Sequence, residues 1–254
     1  MPIKLEAWGE YALFTRPEMK VERVSYDVMT PSAARGLIEA IYWHPGIRWF
    51  IDRIHVCTPI RFTNLRRNEV KSTASARAAH TVMERGKGEL YLNTSEEIQQ
   101  RAALLLRDVR YVIEAHFEMT EKAVLGDNPG KFQDIMRRRL QKGQFYHQPC
   151  FGCREFPAQF RLCEEIPPCP GELRGERDLG WMLYDMDYTD PENISPMFFR
   201  GILRDGVWRF RPGMRRRCGD DPAVFDGLLS DAGRPRRNFA SRVGPGQSLL
   251  CPVH

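Results

Sequence analysis

The sequence predicts an α+β protein in which helices pack against an antiparallel sheet. Segments with alternating apolar and polar residues, or with many β-branched and aromatic residues, are followed by segments whose apolar residues recur at helical spacing. The resulting order is β-α-β, an insertion, and then α-β-α-β, and this order favours helices on an antiparallel sheet. A ferredoxin-like or RRM-like core is the arrangement that we expect.

The first strand and the first helix are predicted from local signals. Residues 3–14 alternate and are interrupted at Gly9, which indicates a strand with a bulge or a bend. Thr30 can accept a hydrogen bond from a first-turn amide as N-cap, and Pro31 fits the first helical position, where its missing N–H costs nothing. The apolar stripe of this helix consists of Ala34, Leu37, Ile38 and Ile41. Pro45-Gly46 is expected to end the helix.

The middle of the chain predicts a second strand, a basic insertion and a second helix. Residues 49–62 are rich in β-branched and aromatic types, which favours a strand. Residues 64–92 are polar and weakly periodic, and we expect them to form a long, partly mobile basic loop. Thr94 and Glu97 form a capping box for the second helix. The apolar face of that helix would be Ile98, Ala102, Leu105 and Leu106.

A third strand and a third helix complete the predicted core. Residues 109–119 alternate, and their two faces would be Tyr111, Ile113, Ala115 and Phe117 on one side and Val112, Glu114, His116 and Glu118 on the other. The third helix is predicted to open at Gly130 and to end at Gly143. Residues 149–163 are expected to be extended.

The C-terminal third predicts a small β-sheet unit. Strands are expected at 179–188, 197–203 and 206–211, after a Pro/Gly-rich bridge at 166–175. The pair Asp205-Gly206 is a hairpin signal. The predicted organisation is therefore a ferredoxin-like domain at 1–145 with its basic insertion near 64–92, an antiparallel β-sheet domain at 146–212, and an Arg/Gly/Pro-rich tail at 213–254.

The charge composition permits a phosphate-bearing partner. The 254 residues include 38 Lys+Arg and 33 Asp+Glu, which leaves a net charge of +5. Four arginine clusters occur, at 66–67, 137–139, 215–217 and 236–237. A solvated surface run is the plain interpretation of each cluster alone, but four of them in one chain favour a nucleic-acid partner.

The chain is expected to be a cytoplasmic protein with reduced thiols. Charged residues within 3–14 do not fit a signal peptide, and no uncharged apolar run reaches membrane-spanning length. Seven cysteines is an odd number without a secreted-scaffold pattern. Cys150 and Cys153 form a CxxC with Cys163 and Cys169 downstream, which leaves zinc as an alternative. The second pair lacks the tight spacing of a zinc site, so buried thiols and no metal are expected.

The end of the first helix carries groups that RNA chemistry requires. Tyr42, Trp43 and His44 follow the apolar stripe, and a basic loop precedes the helix. Cations, stackable rings and titratable groups are what a protein needs to hold RNA and to act on its backbone. The alternative interpretation is that the two larger rings are core aromatics and that the histidine is a solvated charge.

Several long motifs resemble one known family. These are SYDVMTPSAARGLIEAIYWHP, IDRIHV, RRNEV, QRAALLLRDVRYVIEAHFEMT and GCREFPAQF, which occur in order between about residues 5 and 211. The chain resembles the CRISPR-associated "Cas five" family of subtype I-C, which belongs to the RAMP superfamily. The resemblance implies a modified ferredoxin-like N-terminal domain followed by a small β-sheet domain.

The resemblance also implies a function. It is that of an endoribonuclease that binds the repeat hairpin of precursor crRNA and cuts it once, without metal, by 2′-OH attack. The cut leaves the 5′ handle, and the protein stays bound to it as a subunit of the type I-C Cascade complex. No cofactor is expected; the partners are crRNA, other Cascade subunits and, as a candidate, double-stranded DNA. The alternative is a non-catalytic scaffold subunit that holds the 5′ handle.

The family's catalytic tyrosine and histidine fall on Tyr42 and His116. Its lysine has no counterpart, because Glu114 and Ala115 precede the histidine. The cation of the site stays unassigned, and the candidates are Lys122, which is near in sequence, and an arginine from residues 64–92. A histidine can take or give a proton near neutral pH, whereas a phenol is mostly protonated there and would orient the 2′-OH. The expected RNA contacts are Arg16, Lys20, Arg23, Arg35, Trp43, Arg66, Arg67, Lys71, Arg137 and Arg138.

Overall fold

The computed structural model describes residues 2–19, 21–190 and 192–210, together with the backbone of residues 216–217. Lys20 and, apart from that short backbone segment, the predicted tail at 213–254 lie outside the described residues. The described part is α+β with a mostly antiparallel sheet, as predicted. None of its helices is both long and apolar enough to span a membrane.

The described residues form ten strands, three α-helices and one short 3-10 helix at Gly171–Leu173. The strands are β1 (Ile3–Ala12), β2 (Arg23–Val24), β3 (Ile47–Val56), β4 (Phe62–Val70), β5 (Ile98–Met119), β6 (Gln159–Leu162), β7 (Glu176–Asp187), β8 (Ser195–Arg204), β9 (Val207–Arg209) and β10 (Arg216–Arg217). The helices are α1 (Pro31–Ile41), α2 (Ala76–Arg85) and α3 (Pro129–Lys142).

One sheet contains all of these strands. Its order is β10-β8-β9-β3-β5-β1-β6, with β7 paired to β8 and with β2 and β4 paired to β5. The pairing is antiparallel except between β2 and β5. Strand β5 has 22 residues and is therefore long enough to pair with β4 along its first half and with β1 and β3 along its second half.

Helices α1 and α3 form where local signals predicted them. The Thr30 hydroxyl accepts a hydrogen bond from the Ala33 amide at 3.2 Å, and the predicted apolar stripe of α1 is fully buried. Helix α3 begins after Asn128, which caps it, and ends at Gly143, whose left-handed backbone (φ 64°) suits glycine. Both helices are stabilised mainly by burial of one apolar face.

The prediction of a helix after residue 94 is wrong. Residues 98–106 are the first half of β5 and pair with β4 in register from Val70↔Ile98 to Phe62↔Leu106. In this strand Ala103, Leu105 and Leu106 are buried, whereas Ile98 of the predicted helical face is 56% exposed. The capping signal was local, whereas the strand is stabilised by pairing with a distant segment, which outweighs local propensity.

The insertion and the second strand also differ from the prediction. Strand β3 ends at Val56, so the predicted strand at 49–62 is too long. Residues 64–92 are not one loop, because they contain most of β4 and the exposed helix α2. Helix α2 is capped by the Ser75 hydroxyl and ends at Gly86. None of its side chains is buried, which explains why its sequence lacks a clear apolar stripe.

The C-terminal strands join the same sheet as the N-terminal ones. The predicted hairpin at Asp205-Gly206 is confirmed, since both residues have positive φ (48° and 70°) between β8 and β9. Strand β9 then pairs with β3. The proposed domain boundary near residue 145 stays a prediction.

The two faces of strand β5 differ, because one packs against the helices and the other carries polar side chains. Phe132 of α3 contacts Phe117, and Tyr111, Ile113 and Ala115 lie on the same face and are buried. The alternate residues point to the opposite face, where Glu114 and His116 are found. This grouping is the one that the alternation in the sequence predicted.

Gly152 offers a test of the packing beside β1. It has φ 85°, and a Cβ there would lie 1.9 Å from the Leu13 carbonyl oxygen, whereas Gly126 has φ 95° and open space around it. Both Gly→Ala changes strain the backbone, but only Gly152→Ala adds a steric overlap. We expect Gly152→Ala to lower the free energy of unfolding by about 2–4 kcal/mol and Gly126→Ala by about 1 kcal/mol. Urea denaturation measures both, and equal losses would contradict the packing described.

Candidate active site

A histidine–aspartate pair lies near the C-terminal end of β5. The Nδ1 atom of His116 is 2.8 and 2.9 Å from the two carboxylate oxygens of Asp52. A carboxylate only accepts, so Nδ1 donates in this contact, and in the neutral form of the ring the lone pair is on Nε2. The His116 side chain is 43% exposed, and its Nε2 atom lies 4.0 Å from the exposed carboxylate of Glu118 at the edge of the site.

A β-bulge in β3 puts the aspartate in reach of the histidine. The register runs Ile51↔Ala115 and then Arg53↔Glu114, so Asp52 is an extra residue without a cross-strand partner. Bulges of this kind redirect a side chain beside a site. Asp52 lies within the motif IDRIHV but was not predicted as a site residue, because alternation alone does not locate a bulge.

Aromatic and cationic side chains surround the His116 ring. Phe50 lies directly opposite on β3 and stacks on the imidazole, with centroids 5.4 Å apart and an angle of 15° between the planes. The Arg48 guanidinium lies 5.4 Å from the centre of the Phe50 ring. Arg48 and Arg53 therefore flank the histidine along β3, on the two sides of Phe50 and the bulge.

A second histidine lies on the same face but is far less accessible. The Nε2 atom of His55 is 2.7 Å from Glu114, and Arg53 is 3.7 Å from the same carboxylate oxygen. The side chains of His55 and Glu114 are only 14% and 9% exposed. Their contacts satisfy a buried carboxylate, which needs partners, and we assign this group a structural role.

Arg48 is the cation that is available beside His116. Among the described residues, no carboxylate lies within ion-pair distance of its guanidinium, although Glu118 is its cross-strand neighbour and Glu39 interacts with it electrostatically over a longer distance. Arg53 shares its charge with Glu114. A half-exposed imidazole held by a carboxylate and next to an unpaired arginine can exchange a proton and stabilise a developing negative charge.

The structure does not bring Tyr42 next to His116. The Tyr42 ring packs against Phe132, with centroids 6.4 Å apart, and Phe132 contacts Phe117. Since Phe117 and His116 are successive residues of one strand, the tyrosine and the histidine lie on opposite faces of the sheet. Tyr42 is buried, and this burial raises the pKa of its phenol, which Arg139 partly opposes.

Four of the predicted RNA contacts form ion pairs with carboxylates of the protein itself. Arg16 pairs with Asp27 at 3.0 Å, and Arg23 pairs with Glu69 at 3.2 Å. Arg35 forms a two-bond ion pair with Asp185, and Arg67 pairs with Glu155. Because their charges are already balanced, these arginines are less suited to bind phosphate than unpaired ones.

The other predicted contacts are exposed. They are Trp43, Arg66, Lys71, Arg137 and Arg138, and none of the four cations has a described carboxylate within ion-pair distance. Lys20 lies outside the described residues. The exposed cations are therefore the members of the predicted set that can still contact a phosphate backbone.

The cysteines of the CxxC motif are not gathered into a metal site in the described part of the chain. No group of three His, Cys, Asp or Glu side chains there is arranged to hold a metal ion. Cys150 and Cys153 flank the turn that packs on β1, and burial raises the pKa of both thiols. The motif thus forms part of the packing around Gly152.

Comparison with known proteins gives a clear set of relatives. Residues 3–211 match the family described as CRISPR-associated protein (Cas_Cas5). A Mannheimia succiniciproducens protein named CRISPR pre-crRNA endoribonuclease Cas5d is 50% identical over 210 residues, covering 81% of this chain and 92% of that protein. A Thermus thermophilus protein with the same name is 40% identical over 225 residues, covering 80% and 89%. A solved structure of a CRISPR-associated protein shares the fold, with a TM-score of 0.58 at 22% identity, covering 83% and 92%.

Loss of the Arg35–Asp185 ion pair should destabilise the protein more than loss of an exposed ion pair. Asp185 is 13% exposed, so Asp185→Asn leaves the Arg35 charge poorly solvated, with only the longer ion pair to Glu39 at 3.6 Å. We expect the free energy of unfolding to fall by about 2 kcal/mol. Asp178→Asn, which breaks the exposed pair with Arg200, should change it little. Denaturation curves of the two variants decide the matter, and equal effects would mean that Arg35 has no structural role.

Proposed function

The chain belongs to the Cas5 family of CRISPR-associated proteins, as its motifs predicted, and we propose that it is a pre-crRNA endoribonuclease. The observation that carries the proposal is the His116–Asp52 pair, half exposed and flanked by Arg48 and Arg53. The names of two relatives, each at least 40% identical over most of their length, support the same activity. The proposed substrate is the repeat hairpin of precursor crRNA, and the protein then stays on the 5′ handle as a subunit of type I-C Cascade.

The proposed cut needs no metal ion. The lone pair on His116 Nε2 accepts the proton of a ribose 2′-OH, and the resulting oxygen attacks the adjacent phosphorus. The bond from phosphorus to the 5′-oxygen then breaks, and that oxygen takes up a proton from the His116 imidazolium or from water, so that the ring returns to its neutral form. The products are a 2′,3′-cyclic phosphate and a 5′-hydroxyl. Asp52 holds the ring in the required tautomer and stabilises the imidazolium that forms.

Arg48 is the proposed substitute for the missing lysine. Its guanidinium can stabilise the extra charge of the phosphorane, because it lies beside the Phe50–His116 stack without a described ion-pair partner. Arg53, which shares Glu114, would contribute less. Because Tyr42 lies on the opposite face of the sheet, its catalytic role stays a prediction and no proton transfer is assigned to it.

The fold detail and the domain division belong to the same proposal. The strand order β3-β5-β1-β6, with α1 between β1 and β3 and α3 between β5 and β6, supports a modified ferredoxin-like core. We propose that residues 146–212 form the second, β-sheet domain that the resemblance implies. The polar face of this sheet, which carries His116, would receive the RNA, as the open face of an RRM sheet does.

Cleavage of repeat RNA in the presence of EDTA tests the proposed activity. We expect wild-type protein to make one cut, His116→Ala to be slower by about a hundredfold or more, and Asp52→Asn by about tenfold to a hundredfold. His80→Ala is the matched control, because His80 is an exposed histidine that also pairs with a carboxylate, Glu84, but lies on α2. It should cut at the wild-type rate.

Three outcomes would contradict this mechanism. Products with a 5′-phosphate, or cleavage that survives a 2′-deoxy substitution at the cut site, would exclude 2′-OH attack. A stable but uncut wild-type complex would instead support the alternative scaffold function, in which the chain holds the 5′ handle. The replacement of the family's lysine by Ala115 is the feature that favours this alternative.

Substitution of Arg48 should change the rate of cleavage but not the affinity for RNA. Its charge is needed mainly when the phosphorane forms, so Arg48→Gln should lower the single-turnover rate by about tenfold with little change in RNA affinity. Arg48→Lys should restore part of the rate. Arg66→Gln, which removes an exposed cation of β4, should weaken binding and leave the rate of the bound complex unchanged. Single-turnover kinetics at saturating protein separate the two effects, and a change in affinity alone for Arg48→Gln would refute its role.

A further inference from the structure

Several aromatic rings are exposed where the chain leaves α1 and α3, on the helix side of the sheet opposite His116. Trp43 is 54% exposed, Phe145 44% and Tyr146 73%, and His147 is also exposed. The rings of Tyr146 and His147 contact each other with centroids 4.4 Å apart. We call Trp43, Tyr146 and His147 the aromatic ledge.

The ledge is held in place by the end of α1. The amides of Tyr146 and His147 both donate to the Ala40 carbonyl oxygen, at 3.1 and 2.9 Å, and so satisfy a last-turn carbonyl of that helix. Trp43 follows the same helix end by two residues. Phe145, next to the ledge, is fixed against Phe160 of β6. The exposed rings therefore lie on an ordered backbone, which lowers the entropy cost of binding a ligand.

The surroundings of the ledge are positively charged. The segment 137–147, RRRLQKGQFYH, contains four Lys+Arg and no Asp or Glu, and 40–49 contains no acidic residue either. The nearby acidic residues are paired, Glu39 with Arg35 at 3.6 Å and Asp127 with Lys131 at 2.9 Å. Arg139 lies over the Tyr42 ring and donates to the Ile41 carbonyl. Lys142 lies one turn further along α3 on the side of Arg139 and is exposed. Stackable rings within a cationic surface match the chemistry of single-stranded nucleic acid.

The ledge and His116 lie at the same end of the sheet. Thr120 follows β5 and donates from its amide to Gly46 and from its hydroxyl to Pro45, at 2.9 and 2.6 Å. The short segment 43–48 therefore passes around this end, with Trp43 on the ledge side and Arg48 on the His116 side. A single strand that runs from His116 to the ledge would pass this end of the sheet, where the turn after β5 lies against Gly46.

We propose that the aromatic ledge stacks the bases of an unpaired RNA segment next to the cut site. The inference rests on the proposed function for the identity of the polymer, but it concerns binding and not cleavage. Trp43 and Tyr146 supply the stacking faces, and Arg138 and Lys142 are near enough along α3 to neutralise phosphates. The absence of acidic residues in both segments argues for RNA rather than a basic or apolar protein segment.

Binding of uncleavable repeat RNA tests the ledge. The probes are a labelled repeat hairpin with a 2′-deoxy nucleotide at the cut site, either with an unpaired flank of about ten nucleotides or with a blunt stem. We expect Tyr146→Ala and Trp43→Ala to weaken binding of the flanked hairpin by about fivefold to a hundredfold. Binding of the blunt hairpin should not change, and Tyr146→Phe should retain wild-type affinity.

A matched control separates stacking at the ledge from general surface effects. Tyr91 is 75% exposed, close to the 73% of Tyr146, but lies between α2 and β5. Tyr91→Ala should bind both probes as the wild type does. Equal weakening for both probes, or unchanged binding of the flanked probe by the two ledge variants, would overturn the inference. Because the probe is not cut, the result does not depend on whether wild-type protein cleaves repeat RNA.

Discussion

The pairing of strand β5 is the constraint on which the rest of the structure depends. Four other strands use its backbone as their partner: β4 and β2 along the first half, and β1 and β3 along the second. A shift of one residue in this register would exchange its two faces. His116 and Glu114 would then face the helices, and Ile113 would face solvent. One register therefore determines both the hydrophobic core and the polar face that carries the candidate site.

The elements that the sequence predicted well are those with local causes. Helix α1 is specified by Thr30, Pro31 and its apolar stripe within a dozen residues, and α3 by its apolar face and Gly143. The second half of β5 alternates clearly, so its two faces could be assigned before the structure was known. The hairpin at Asp205-Gly206 was predictable for the same reason, since glycine after aspartate suits two successive positive φ angles.

The errors concern features that depend on a distant partner. The pattern of residues 98–106 fits a helix as well as a strand, and pairing with β4 stabilises them as a strand. The sequence of most of β4 in turn predicts a loop. Asp52 reaches His116 because β3 has one residue more than β5 along their pairing. Likewise, Arg35 was expected to bind RNA, but Asp185, 150 residues away, neutralises it. A sequence gives the number of charges, whereas ion pairing decides which of them remain available.

The position of Tyr42 is informative for the same reason. Its place at the end of α1 suggested that it meets His116, yet successive residues of β5 point to opposite faces, and the tyrosine packs on the Phe117 side. The segment that follows it passes around the end of the sheet and delivers Arg48 to the His116 side. The helix end therefore contributes to both faces through one continuous segment. Substitutions at residues 42–48 will act on packing, on charge beside the histidine and on the exposed rings at once, and only readouts that separate rate, affinity and stability can assign them.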